Sequence, residues 1–165
     1  MQSAPTDIPS RASLPVRLSA PSQGAKVMLW GQCSLTSQLT VVPPVQLDVV
    51  HRLLAATYWG SRRPREIVDS MVAGSICFSL YCGSRQIGFG RAVTDSATFT
   101  WVADIVVEPE FRGAGLGQWI MECLVAHPAI KGTQMVLQTR DAQGLYEKFG
   151  FSGNSALMNT NVTGL

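Results

Sequence analysis

Apolar residues along the chain change period several times, and the changes divide it into elements. Ser37–Val42 alternates as a strand and is ended by Pro43-Pro44, which cannot extend a hydrogen-bonded ladder. From Val45 to Trp59 the spacing of Leu47, Val50, Leu53 and Leu54 predicts a helix. Gly60 and Ser61 break it. Pro64 suits the first turn of a second helix that runs to about Ala73, where Gly74 stops it. Three strand-like runs follow: Ser75–Cys82, Gln86–Thr94 after a hairpin signal at Gly83-Ser84-Arg85, and Ala97–Val107 after Asp95-Ser96. Pro109 closes the third. Leu116–Val125 reads as a helix opened by a glycine-rich turn and ended at His127-Pro128. A short strand at Met135–Thr139, a short helix at Ala142–Lys148 and a last strand at Ala156–Asn161 complete the order. Strand, two helices, three antiparallel strands, helix, strand, helix, strand is a mixed α/β layer architecture. It is expected to fill residues 33–165.

Residues 1–32 differ in composition. They are rich in Ser, Pro and Ala, hold two arginines and have Asp7 as their acid. A flexible or loosely packed extension is the expectation there. The same composition is weakly that of an organelle transit segment, although it lacks a clear amphipathic period. Elsewhere the 165 residues and a hydrophobic fraction of 46% suit one packed domain. A formal net charge of +2, with Lys and Arg scattered, argues against nucleic acid as the main partner. No apolar run approaches the ~20 residues that a membrane span requires. Cys33, Cys77, Cys82 and Cys123 form no CxxC and no His lies near them in sequence, so no metal is expected. A reducing compartment, the cytoplasm by default, follows.

The chemistry concentrates where the third run of the hairpin series meets the next helix. Glu110-Phe111-Arg112-Gly113-Ala114-Gly115-Leu116-Gly117 lies between a strand and a helix. A helix N-terminus offers unpaired N–H groups and a partial positive charge, and glycines let an anion come close to the backbone. The string lacks the lysine and Ser/Thr of a nucleotide P-loop, because Gln118 and Trp119 follow Gly117. No early parallel βαβ unit surrounds it, as a dinucleotide turn would need. A glycine-rich cap without a ligand remains the plain alternative.

At this point the sequence resembles the GNAT superfamily of acyl-CoA-dependent N-acyltransferases. Arg112-x-x-Gly115-x-Gly117 matches its R/Q-x-x-G-x-G/A motif, preceded by the strand ending Ala103-Asp104-Ile105-Val106-Val107-Glu108-Pro109. Leu145-Tyr146-Glu147-Lys148-Phe149-Gly150-Phe151 follows at the spacing of the family's LYEKxGF segment. Asp141-Ala142-Gln143-Gly144-Leu145-Tyr146 is similar to the D-A-H-G-L-Y string of a branch of small members. The resemblance implies a mostly antiparallel sheet flanked by helices and acetyl-CoA as acyl donor. It implies that backbone groups of Arg112, Gly113, Ala114, Gly115, Gly117 and Gln118 hold the CoA pyrophosphate, with Thr139, Tyr146 and Lys148 nearby. The pantetheine arm would pair like an added strand with Ile105, Val106 and Val107, beside a bulge that splays the sheet.

Acyl transfer from a thioester to an amine needs a neutral amine, a donor for the tetrahedral oxyanion and a proton for the leaving thiolate. By resemblance Tyr146 is the proton donor, with a core tyrosine as its structural alternative. A backbone N–H at Val106 or Val107 would serve the oxyanion. Asp104 is the carboxylate within the strand, and alternation puts it on the face of Val106. It could take the ammonium proton, bind the charged acceptor, or make a structural bond. Glu108 at the strand end reads as solvated, and His51 and His127 as structural.

Two departures bear on substrate. Thr139 stands where many members carry Asn, and Gln143 replaces the His of the related branch. The short tail after Phe151 leaves little material for the usual last strands, so a shortened sheet or completion by a second subunit, a homodimer, is expected. The acceptor would be a small-molecule or peptide amine, held by the connection Tyr58–Arg65, whose arginines could bind a carboxylate or phosphate. A non-catalytic CoA-binding module, and a related fold diverted to other chemistry, are the competing functions.

Overall fold

The computed structural model describes residues 27–30, 44–82, 84–153 and 158. Its element order is β1 (Val27–Trp30), α1 (Leu47–Ala55), α2 (Arg65–Ala73), β2 (Ile76–Cys82), β3 (Arg85–Thr94), β4 (Phe99–Val107), α3 (Leu116–Ala126), β5 (Gln134–Val136) and α4 (Gln143–Tyr146). Single 3₁₀ turns follow β4 at Pro109–Phe111 and α4 at Glu147–Phe149. From α1 onward the order is that expected from periodicity. β1 falls inside the segment assigned to an extension, pairing Val27 with Cys77 and Trp30 with Leu80. The strands expected at Ser37–Val42 and Ala156–Asn161 lie outside the described residues, apart from Met158.

The five strands form one sheet in sequence order. β2, β3 and β4 are an antiparallel meander, and the short outer strands β1 and β5 join it in parallel. Each face of the sheet carries its own core. On one, α3 lays Leu116, Ile120, Met121 and Leu124 against Phe78, Leu80, Ile87 and Val102. On the other, α1 and α2 bury Val50, Leu53, Leu54, Val68 and Val72 against Cys77, Phe89 and Val106. The 3–4 spacing of those helix residues explains why α1 and α2 are helices at all: each makes one apolar stripe and has the sheet to cover it. Pro64 stands at the N-cap of α2 with φ of −60°, the value its ring fixes, and Gly74 stands at the C-cap.

Strict alternation along β4 would put Val102, Asp104 and Val106 on one face. Val102 instead joins the α3 core, while Val106 joins the opposite one. The phase changes at a bulge: Phe89 pairs with Val106 but Arg91 pairs with Ala103, so Asp104 and Ile105 together oppose Gly90. Asp104 takes the left-handed conformation there, with φ of 58°. This is the extra-residue geometry that bends a strand and sharpens its twist. A Cβ at residue 90 would stand 2.6 Å from Ile105 Cδ1 and 2.8 Å from Ile120 Cγ2, so these side chains pack into the space that the glycine leaves beside the bulge.

Candidate active site

β5 pairs with β4 at Phe99, Thr100 and Trp101, and no further. Beyond Trp101, across the bulge, the β5-facing edge of β4 has no strand partner among the described residues. A slot lies beside Ile105 and Val107, and the glycine turn lines it.

That turn has the backbone features of an anion-binding helix start. Gly113 and Gly115 have φ of 82° and 77°, a region costly for residues with a Cβ, and Gly115 is the N-cap of α3. Trp119 N–H bonds back to Gly115 O at 3.0 Å, the first bond of the helix ladder. The N–H groups of Leu116, Gly117 and Gln118 precede it and have no partner within the helix. No atom lies within 4 Å of where a Cβ would stand at Gly113, Gly115 or Gly117. Arg112 Nε donates to Val107 O at 2.9 Å, so the arginine ties the turn to the end of β4. A cleft of about 320 Å³ results, lined by Ile105, Val107, Arg112, Gly113, Gly115, Gly117, Gln118 and Lys148 among the residues expected from sequence. Phe111, Leu116 and Leu145 also line it. They were missed because apolar residues at helix starts and turns read as core. Gln118 donates to Glu122 at 3.0 Å, and Lys148 Nζ lies 3.5 Å from Gln118 Oε1, which bridges α3 to the turn after α4.

Other expected residues fall outside the cleft lining. Val106 is buried in the α1–α2 core, and Ala114 belongs to the turn without lining the cleft. Thr139 Oγ1 accepts the N–H of Ala142 at 3.1 Å and shapes the turn into α4. Tyr146 is half-buried against the α3 core and meets Phe151 edge-on at 6.0 Å. Burial first, then electrostatic interaction with Tyr58 and with the carboxylate of Asp141, pushes its phenol up to about 12.

Asp104 does lie toward the α1–α2 face, but both its oxygens are taken. Arg63 Nη1 donates to Oδ1 at 2.8 Å and Arg91 Nε to Oδ2 at 2.5 Å, and the carboxylate is 1% exposed. Arg91 also reaches Ser75 Oγ at 3.2 Å. Glu108, read as solvated, is in fact 2% exposed and clamped by Arg52 at 2.7 Å and Arg85 at 2.5 Å. A carboxylate at the end of a strand gives no sequence sign that two arginines, one 56 residues away, will cover it. His127 is buried beside Phe78 and its Nδ1 accepts the N–H of Ala129 at 3.2 Å, a structural placement.

With this geometry in place, comparison with known proteins assigns the chain. Residues 73–153 match the acetyltransferase (GNAT) domain model. A crystal structure from Xanthomonas campestris pv. campestris, described as an acetyltransferase of the GNAT family, is 35% identical with a TM-score of 0.69. The alignment covers 73% of this chain and 89% of that one. The chain belongs to the GNAT acetyltransferase family. Relatives named as N-acetyltransferases agree: ycf52 of Porphyra purpurea is 27% identical, the match covering 65% of each chain. Serotonin N-acetyltransferase 2, chloroplastic, of Oryza sativa subsp. japonica is 37% identical over 41% of this chain and 35% of its own length. The GNAT assignment makes the chain an N-acetyltransferase, in a family that uses acetyl-CoA. No described helix is long and apolar enough to cross a membrane, and no group of His, Cys, Asp and Glu among the described residues could hold a metal ion.

Proposed function

We propose that the chain transfers the acetyl group of acetyl-CoA to the amine of a small molecule or peptide, with the slot beside β4 as the reaction site. The observation that carries this reading is the junction of two unpaired backbone surfaces. The start of α3 and its glycine turn line a cleft that also reaches Ile105 and Val107 on the open edge of β4. A pyrophosphate fits the first surface by charge and by donor number. An extended amide-bearing arm fits the second by main-chain hydrogen bonds.

Tyr146 is the proton donor in this scheme. A phenol pushed up to about 12 stays protonated across the physiological range, so the donor is always loaded. The burial that raises the phenol would also destabilise a leaving thiolate in the same place and increase its demand for a proton. A backbone N–H at Val106 or Val107 stabilises the oxyanion. Asp104, 1% exposed and paired with two guanidiniums, is shielded from an acceptor, and its role in this scheme is to hold the bulge. Proton removal from the amine then falls to water.

Gly117→Glu tests the donor site. Gly117 needs no unusual backbone and has open space around it, so the variant folds, whereas a change at Gly115 adds strain from its positive φ. The new carboxylate fills the anion site. Calorimetry is expected to show no measurable acetyl-CoA binding alongside an unchanged melting curve. Wild-type affinity in the folded variant would overturn the pyrophosphate assignment.

A further inference from the structure

Glu108 is a buried carboxylate that the proposed reaction does not use. It stands where β4 ends and the path to the glycine turn begins, and separate parts of the fold hold it there. Its N–H donates to Ile87 O of β3 at 2.8 Å, and its carbonyl accepts the N–H of Phe111 at 3.0 Å. Its side chain accepts from Arg52 in the last turn of α1 and from Arg85 at the start of β3. The arginine side chains are 58% and 51% exposed, so two surface cations reach inward to cover one sealed acid. Arg85 also donates to Glu110 at 2.9 Å, and its guanidinium lies 5.8 Å from the centre of the Phe111 ring, which lines the cleft. The clamp therefore holds Glu108, Glu110 and Phe111, the residues that lead straight into Arg112–Gly117.

Beyond them the turn has few holds of its own. Arg112 N–H donates to Pro109 O at 3.2 Å, and its Nε donates to Val107 O. Gly113, Ala114 and Gly115 are exposed, and no side chain caps α3. Glycines have the most backbone freedom to lose, so the aim of their N–H groups depends on what fixes the strand side of the turn. We infer that Glu108 is a positioning residue for the donor site: its clamp to Arg52 and Arg85 pre-sets the turn, so that little ordering remains when the donor binds. The inference rests on the reading of the turn as the site of the CoA pyrophosphate. Charge does not explain the arrangement, because Glu108 and Glu110 balance Arg52 and Arg85. Removing the Glu108 charge would leave an extra positive charge beside an anion site, which by Coulomb attraction alone would tighten the donor. Positioning predicts the opposite sign.

Calorimetry with CoA on the full chain tests this, since unfolded protein lowers the stoichiometry while a misplaced turn raises Kd. Glu108→Gln is expected to raise Kd about ten-fold at nearly full stoichiometry. Glu108→Asp keeps the charge but is too short to reach both arginines, and is expected to raise Kd about three-fold. It decides the matter should Glu108→Gln fail to fold. Pantetheine, which has no pyrophosphate, should bind all three proteins alike. An unchanged or lower Kd for CoA in the folded variants, a fall in stoichiometry alone, or an equal loss for pantetheine would overturn the inference. A wild type that fails to bind CoA would overturn the donor-site reading itself, and the inference with it.

Discussion

Asp104 shows how little a residue's type says about its work until its partners are known. In the sequence it is an acid in a strand next to a motif, and three roles were open to it. In the fold, its oxygens meet Arg63 and Arg91 and its backbone supplies the left-handed residue of the bulge. Asn tolerates that conformation, so Asp104→Asn removes charge without adding backbone strain. Leaving two guanidiniums without their anion should cost about 3–5 kcal/mol, the range for breaking a buried ion pair from one side. A lowered melting temperature, with residual activity tracking the folded fraction, is expected. Wild-type stability with a changed pH–rate profile would restore Asp104 to catalysis. Tyr146→Phe should act in the opposite way: an unchanged melting curve, KM for acetyl-CoA nearly constant, and kcat down by roughly 10²–10⁴-fold as for a lost general acid. Unchanged kcat with chemistry rate-limiting would make the residue a core tyrosine.

At the scale of elements, the sequence was most readable where one physical cause acts alone. The apolar stripes of α1, α2 and α3 predicted their helices to within a few residues, because each has one buried face. The glycine turn was readable because positive φ is a requirement that few residues meet. Two things were hidden. The phase change in β4 depends on Gly90, which sits opposite in another strand, and no pattern within β4 announces it. The ion-pair network joins Arg52, Arg63, Arg85 and Arg91 to acids far along the chain, and periodicity carries no information about such partners. The same blindness explains Glu108, expected in water and found under two arginines.

Over the whole molecule, two cores share one sheet, and several ionisable groups are sealed in neutral form. Burial is the leading cause that pushes Cys77, Cys123, Tyr81 and Tyr146 each up to about 12. Unfolding would return the thiols to about 8.5 and the phenols to about 10. The folded pKa values are the higher ones, so this contribution is whole below pH 8.5 and drains away as pH rises toward 12. The melting temperature should therefore fall progressively from about pH 9 upward. A flat melting temperature between pH 8.5 and 11 would show that these groups are not sealed. Tyr81 adds a local reason, since its hydroxyl donates to Pro44 O at 2.8 Å and must lose that bond on ionising.

Gly90 has a consequence for anyone who would make this enzyme sturdier. Replacing a strand glycine by alanine or valine is a standard route to stability, since it restricts the unfolded chain and favours extended backbone. Here a Cβ would come to 2.6 Å from Ile105 Cδ1 and 2.8 Å from Ile120 Cγ2. Ile105 is a wall of the cleft and Ile120 belongs to the helix that presents the N–H groups. Both side chains would have to shift, and one of them lines the cleft, so the substitution acts on the site as well as on the strand. The gap that looks like a flaw in the strand is shared space with the cleft wall.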